Sequence, residues 1–428
     1  MALGGGTFIT QNKILPGAYF QFISRATASA ELSDRGIAAM ALDLNWGVDD
    51  KIITLTASEF MKDSLKIFGY GYDADEMRNI REVFLHASVL HAYRLNGSGT
   101  KASNSFATAK CNGTRGNDLK VVIQKNIDDE TKFDVSLYLG STKVDEQTVA
   151  SASELVSNDY VTWVGDVVLD VTAGTPLANG TNGTSDSTSH QTFLNKLESF
   201  TDTNAIGYMG AEDTVKALYV AFAKRMRDEV GVKLQAVVFN KAGDSIACVN
   251  AKNSVDIVPW VLGVVAGTAV NASATNMAYD GEYDVNTDYT QADLEDAIRA
   301  GEFVLHSVNG EVRVLEDINS LVTTTDEQGD VFKDNQTVRV IDSIATSIAS
   351  IFANKYIGKV PNNDSGRTSL WSDIVKIHQN LANINAIEGF DAEDIVVEQG
   401  DTKKSVKING AITVVNTMTK LYMRTIVA

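Results

Sequence analysis

In the stretch Thr337-Val338-Arg339-Val340-Ile341-Asp342-Ser343-Ile344 and the residues after it, Ile341, Ile344, Ile348 and Ile351 recur every three or four positions. That spacing lines one face of a helix with isoleucine. Further on, Ile374, Ile377, Leu381, Ile384 and Ile387 repeat the pattern, with Gly389 placed to stop the second helix. The period then changes to that of strands, expected at 395–398, 406–408, 412–415 and 421–427. Two amphipathic helices followed by short strands give an α+β domain over 326–419 and a closing strand over 420–428.

Working back from this domain, residues 190–320 alternate helix and strand. Phe193, Leu197 and Phe200 mark one helix, and Val215, Leu218, Phe222 and Met226 a longer one; strands are expected at 205–209 and 234–239. The apolar run 255–270, interrupted by Asp256, Pro259, Gly263 and Gly267, reads as a buried helix. A helix over 294–300 precedes a strand at 303–307. Such alternation predicts a central α/β domain with parallel strands over 176–325. The Thr-, Gly-, Asn- and Ser-rich residues 172–189 read as a linker or long loop. From 97 to 175 the pattern is β: Leu119, Val121 and Ile123 alternate with polar neighbours, and after Asp128-Asp129-Glu130 the chain returns through Phe133, Val135, Leu137 and Leu139. A small sandwich or barrel follows. Residues 25–96 mix a strand near 37–44 with a helix through Met77, Ile80 and Phe84, which suggests a small α/β unit. Residues 1–24 read as an arm whose strand, with Ala18, Phe20 and Phe22 on one face, needs a sheet to join.

The chain has 428 residues, 44% hydrophobic and 21% charged, a globular composition. It contains no run of about 18 apolar residues that could span a bilayer. The first residues lack the cationic and apolar regions of a signal peptide, so the protein is expected to stay in the compartment where it is made. A net charge of −18 without a basic stripe argues against a nucleic-acid partner. Cys111 and Cys248 have no metal-type spacing and are expected as free thiols.

No phosphate loop, nucleophile elbow or paired metal motif is present, and His86, His91, His190, His306 and His378 are scattered. Asp284, Asn286, Asp288 and Glu295 imitate a calcium loop, but Tyr289 occupies the position that needs glycine. Thr290 followed by Asp293 reads instead as a helix cap. No catalytic residue, cofactor or metal is expected.

The C-terminal pattern resembles the contractile tail sheath family of phages and phage-tail-like bacteriocins. The similarity is carried by Thr337-Val338-Arg339 with Asp342, Tyr356-Ile357-Gly358-Lys359 with Asn362, Gly366-Arg367, Gly389-Phe390, Asp394-Ile395-Val396-Val397 and Leu421-Tyr422-Met423. Upstream, Thr175-Pro176-Leu177 with Gly180 and Gly183, and Tyr289-Thr290 with Ala300-Gly301, resemble the borders of the family's central domain. The opening Gly4-Gly5-Gly6-Thr7-Phe8 and Pro16-Gly17-Ala18-Tyr19 is similar to Gram-positive members. This resemblance implies a subtilisin-like but non-catalytic central domain and a structural subunit that polymerises helically around an inner tail tube and contracts to drive it through a cell envelope. It also implies strand exchange between subunits through Tyr19, Phe20, Phe22 and Ile23 and through Leu421, Tyr422, Met423 and Ile426, received by a sheet holding Ile395, Val397, Val406 and Ile408. Tube contacts are expected at Lys376, Gln379 and Asn383. The implied partners are copies of the chain, a tail tube protein, and baseplate and tail terminator proteins, in a virion tail or tail-like particle assembled in the host cytoplasm, with no membrane insertion. The competing expectations are a secreted surface-layer or adhesin protein, and a hydrolase built on the 190–320 segment.

Overall fold

A computed structural model describes residues 35–427. The expected arm over 1–24, with Tyr19, Phe20, Phe22 and Ile23, lies outside the described residues.

Strand β1 (Ile37–Leu42) is apolar throughout because it is buried on both faces. Ala38, Met40 and Leu42 enter one core, and Ala39 and Ala41 the other. After β2 (Ile52–Thr56), α1 (Ala57–Phe68) and α2 (Arg78–Phe84), β3 (Val89–Arg94) returns parallel to β1. The chain then leaves for a β domain and comes back through α3 (Ser187–Leu197), β11 (Ala205–Tyr208), α4 (Asp213–Arg225), β12 (Gln235–Phe239), β13 (Cys248–Ala251), α5 (Val258–Gly267), α6 (Gln291–Arg299) and β14 (Glu302–Phe303). These strands form one seven-stranded sheet in the order β14-β13-β12-β11-β1-β3-β2, parallel except for β2. Helices α1, α2 and α5 cover one face, while α3 and α4 cover the other. Gly267 lets α5 approach α2: a Cβ there would lie 1.9 Å from the His86 carbonyl oxygen. The separate α/β unit expected over 25–96 is therefore corrected. Its strands join those of the 176–325 segment, Ala38 pairing Ala205 across the inserted domain.

The inserted domain packs a four-stranded sheet, β10-β6-β7-β8, on a three-stranded one, β4-β5-β9. The strands are β4 (Lys101–Ser103), β5 (Ala107–Asn112), β6 (Leu119–Lys125), β7 (Phe133–Leu139), β8 (Thr142–Val149), β9 (Val161–Trp163) and β10 (Thr172–Pro176). Leu119, Val121, Ile123, Val135, Leu137 and Leu139 fill its core as their alternation required. Residues 172–189 are not a free linker. Thr172 to Pro176 pairs with β6, Leu177 is buried, and the Asn182 amide donates to Asn45 Oδ1 at 2.7 Å. The composition that argued for a loop serves here as backbone ladder and amide hydrogen bonds.

Where the two domains meet, Gly183 N donates to Asn96 O at 2.9 Å, and Thr100 and Thr181 exchange backbone bonds at 3.1 Å. The buried Arg94 guanidinium ties the crossing, donating to the Gly47 and Asn112 carbonyls and to Asn96 Oδ1. Gly113 has φ +124°, and a Cβ would stand 2.1 Å from Asn45 O.

A hairpin of β15 (Leu305–Val308) and β16 (Glu311–Val314) leads to the C-terminal domain. There α7 (Asn335–Ile351) begins at Asp334, whose carboxylate accepts from the Gln336 and Thr337 amides. It packs with α8 (Asp364–Asn383), and both are followed by β17 (Ile387–Glu388), β18 (Val396–Gln399), β19 (Val406–Asn409) and β20 (Thr413–Val414). The second helix stops five residues before 388, because Asn385 turns the chain at φ +57° and Ile387 enters a strand paired with Val414. The expected closing strand at 421–427 forms no ladder within the described residues.

Candidate assembly surfaces

Strands β18 and β19 make an antiparallel two-stranded ladder in which Val397 lies opposite Ile408 and Gln399 opposite Val406. Ile395, just ahead of β18, is buried against α8, and Trp371 Nε1 donates to its carbonyl at 2.9 Å. The turn is fixed by the Asn362 amide, which reaches Ser405 O at 2.8 Å. The structure thus brings Ile395, Val397, Val406 and Ile408 together on a hairpin braced from one side by α8. A second two-stranded ladder, β17 with β20, stands apart from it. Two-stranded ladders leave backbone groups unpaired along both outer edges.

The chain after β20 is held by the Gln336 side chain, which donates to Val415 O at 3.0 Å and accepts from Thr417 N at 3.1 Å. Beyond that point Met418, Leu421, Tyr422, Met423, Ile426 and Val427 are each at least 82% exposed. Six large apolar side chains within ten residues, all facing solvent, need another surface to cover them. On α8, Lys376, Gln379 and Asn383 share one exposed stripe, opposite the buried Ile374, Ile377 and Leu381.

One surface escaped the sequence reading. The isoleucines Ile341, Ile344 and Ile348 of α7 are only half-buried, whereas Asn335, Arg339, Asp342, Ser343 and Ser347 are buried. This polar face docks on the central domain. Arg227 grips Asp342 with both terminal nitrogens, at 2.6 and 2.8 Å. Arg339 Nη2 donates to Asp317 Oδ2 at 2.5 Å, and each of those side chains is 1% exposed. Asp317 also accepts from the Ala274 amide and from the Asn335 side chain. Burial pushes the Asp317 carboxyl up, but Arg339 and these donors more than offset it and hold it below the usual carboxylate range. The available signal was Arg339 and Asp342, three residues apart and off the isoleucine stripe.

The decoy sites resolve as local structure. Thr290 caps α6, accepting from the Asp293 amide while the Asp293 carboxylate accepts from the Thr290 amide at 2.8 Å. His190 meets the Tyr219 hydroxyl at 2.9 Å, and burial lowers its basicity. Cys111 and Cys248 are free thiols, and burial pushes Cys248 up to about 11. Among the described residues no group of three or more His, Cys, Asp or Glu is placed to hold a metal, and no helix is long and apolar enough to cross a membrane.

A mixed α/β body with several sheets and an inserted β-sandwich matches the fold of solved tail sheath proteins. Four family profiles match consecutive stretches: the Tail sheath protein Gp18 domain III N-terminal region over 35–95, the phage tail sheath protein β-sandwich domain over 96–182, the central domain over 183–320 and the C-terminal domain over 327–428. The chain belongs to the phage tail sheath protein family and is a tail sheath subunit, a component of a phage tail or tail-like particle. It is 31% identical to the phage-like element PBSX protein XkdK of Bacillus subtilis, covering 98% of this chain and 99% of XkdK. The crystal structure of a sheath tail protein from Desulfitobacterium hafniense superposes with a TM-score of 0.84 at 36% identity, covering 95% of this chain and 99% of that one. A sheath tail protein from Listeria innocua gives 0.78 at 28%, over 90% and 93%. The helical sheath of the anti-feeding prophage in its contracted state shares the fold, with a TM-score of 0.59 at 11% identity over 96% and 99%.

Proposed function

We propose that this subunit polymerises helically around an inner tail tube and that shortening of the polymer drives the tube through a bacterial envelope, without a catalytic step. The observation that carries this reading is the exposed apolar segment from Met418 to Val427, in a chain that also offers the open-edged β18–β19 hairpin. An extended segment added to a free strand edge gains main-chain hydrogen bonds and buries alternate side chains. Leu421, Tyr422, Met423 and Ile426 are assigned to a neighbour's ladder bearing Ile395, Val397, Val406 and Ile408, and Tyr19, Phe20, Phe22 and Ile23 to that of another neighbour. The stripe Lys376, Gln379 and Asn383 is assigned to the tube protein. Baseplate and terminator proteins close the two ends, and assembly takes place in the host cytoplasm. Contraction by interface exchange between two packed states needs no nucleotide. The central domain is read as a subtilisin-like scaffold whose helix-covered parallel sheet supplies rigidity.

Deleting residues 421–428 tests the reading. The truncated chain is expected to stay folded and soluble by circular dichroism but to form no ordered tubes in electron micrographs. Normal tubes, or outright unfolding, would show that the segment is not an exchange element.

A further inference from the structure

Among the described residues, the polar junction under α7 leaves one arginine without a carboxylate of its own. Three arginines, Arg35, Arg227 and Arg339, share it with two aspartates, Asp317 and Asp342. Both aspartates are committed, Asp342 to Arg227 and Asp317 to Arg339. Asp334 is engaged by the Gln336 and Thr337 amides at the helix start. Lys233 donates to Arg227 O at 2.9 Å, and Asp202, at the rim, is 59% exposed and faces His91. Arg35 is left over. Its Nη2 donates to Val265 O at 2.9 Å, while its buried Nε has no acceptor.

Orphan donors collect at this place. Of six buried side-chain nitrogen and oxygen atoms without a partner among the described residues, four belong to Arg35, Arg339 and Ser343. Arg35 and Ser343 line a cavity of about 310 Å³ together with Lys233, Thr203, Asn204 and two carboxylates, Asp342, held by Arg227, and the largely exposed Asp202. The hydroxyl of Thr203 is spent on Phe200 O, and Asn204 Oδ1 accepts from the Gly36 and Ile37 amides. The unmet groups are thus the guanidinium nitrogens and the serine hydroxyl, and a charge removed from water is costly unless paired. Burial and the neighbouring arginine depress the Arg35 guanidinium to about 10, a sign of the same missing counter-charge.

We propose that this cleft binds one small oxyanion, of the phosphate or carboxylate kind, through Arg35 and Ser343 with Lys233 at the entrance. The bound anion supplies the missing charge and fastens the C-terminal domain to the central sheet. The cleft admits a phosphate with its water and stands at the lower limit of volumes that hold larger ligands.

The test uses the full chain, with unfolding followed by denaturant titration at constant ionic strength while inorganic phosphate, or in a second arm acetate, replaces a bulky sulfonate buffer anion. A saturable gain is expected, with the folded-to-unfolded ratio rising about elevenfold at ten times the dissociation constant. Arg35→Met should abolish the response and, unlike an ordinary core substitution, leave the anion-free protein at least as stable as the parent. Lys233→Met should weaken the response and keep the fold. If Arg35→Met does not fold, Ser343→Ala carries the same test through its reduced response. Equal phosphate and acetate responses in parent and variants would overturn the site. So would the absence of any saturable response in the parent.

Discussion

Replacing Asp317 by asparagine keeps the side-chain shape but strands the Arg339 guanidinium inside the junction. Arg339 Nη2 lies 2.5 Å from the lost charge, and with both side chains 1% exposed bulk solvent does not reach the pair. The loss therefore belongs to the buried range, about 3–5 kcal/mol for breaking one partner of such a pair, and not to the roughly 0–1 kcal/mol of surface pairs. At 1.4 kcal/mol per tenfold, the population with the junction open rises by about two to three and a half orders of magnitude. Residues 322–327, exposed just before the C-terminal domain, report this opening as faster cleavage by a protease at low concentration. The double variant Asp317→Asn/Arg339→Met removes the stranded charge and should recover most of the loss. Because Asp317 is held below its unfolded value of 3.8, the pair stabilises fully above that pH and fades as pH falls through the lower folded value. The penalty of Asp317→Asn should shrink correspondingly in acid. A single variant costing under about 1 kcal/mol, or a double variant no better than the single, refutes the assignment of the junction to this pair.

Glu82 is fully buried against the Tyr279 hydroxyl and the Glu282 amide, and burial raises its carboxyl above 4.5. The folded chain then holds that proton to higher pH than the unfolded chain, so stability declines as pH rises past 4.5; Glu82→Gln should flatten this slope in denaturation midpoints taken across pH. Gly113→Ala should cost at least about 1–3 kcal/mol by thermal or chemical unfolding, since it combines a left-handed backbone with a Cβ against Asn45 O. Thr290→Ala removes the cap of α6 and should cost about 1 kcal/mol, while millimolar calcium leaves the melting of parent and variant unchanged.

Local periodicity made much of this fold legible. The strands carrying Leu119 to Ile123 and Val135 to Leu139 alternate strictly, and the capping pair Thr290 and Asp293 marked a helix start. Where sequence reading stopped, the deciding contacts were distant or the pattern was absent. Strand β13, Cys-Val-Asn-Ala, is buried at every position and so shows no alternation. The pairing of Ala38 with Ala205 spans the whole inserted domain, which hid the union of the two α/β segments. Ile384 and Ile387 continued the helical spacing past the true end, because spacing alone does not register the turn at Asn385. The hairpin residues Val397 and Ile408 were readable as strands, and their direct opposition followed from the register. The junction was missed for a different reason: a helix with a good apolar stripe invites the assumption that this stripe is its only buried side, whereas α7 packs Ile344, Ile348 and Ile351 on the C-terminal core and buries Arg339 and Asp342 as well.

The β-sandwich enters and leaves the body at neighbouring points, with Gly183 bonded to Asn96. A domain tethered that way is a cassette. Its sequence is free to drift, lengthen or be exchanged while the seven-stranded sheet and the β18–β19 hairpin keep their spacing, so the inserted domain and the body that carries it can evolve at different rates. The same geometry gives an engineering route. Residues 97–182 could be exchanged for a short turn or a displayed protein, provided that Trp46, which is 0% exposed and packs into the sandwich core, is replaced by a polar residue to keep the vacated face from sticking.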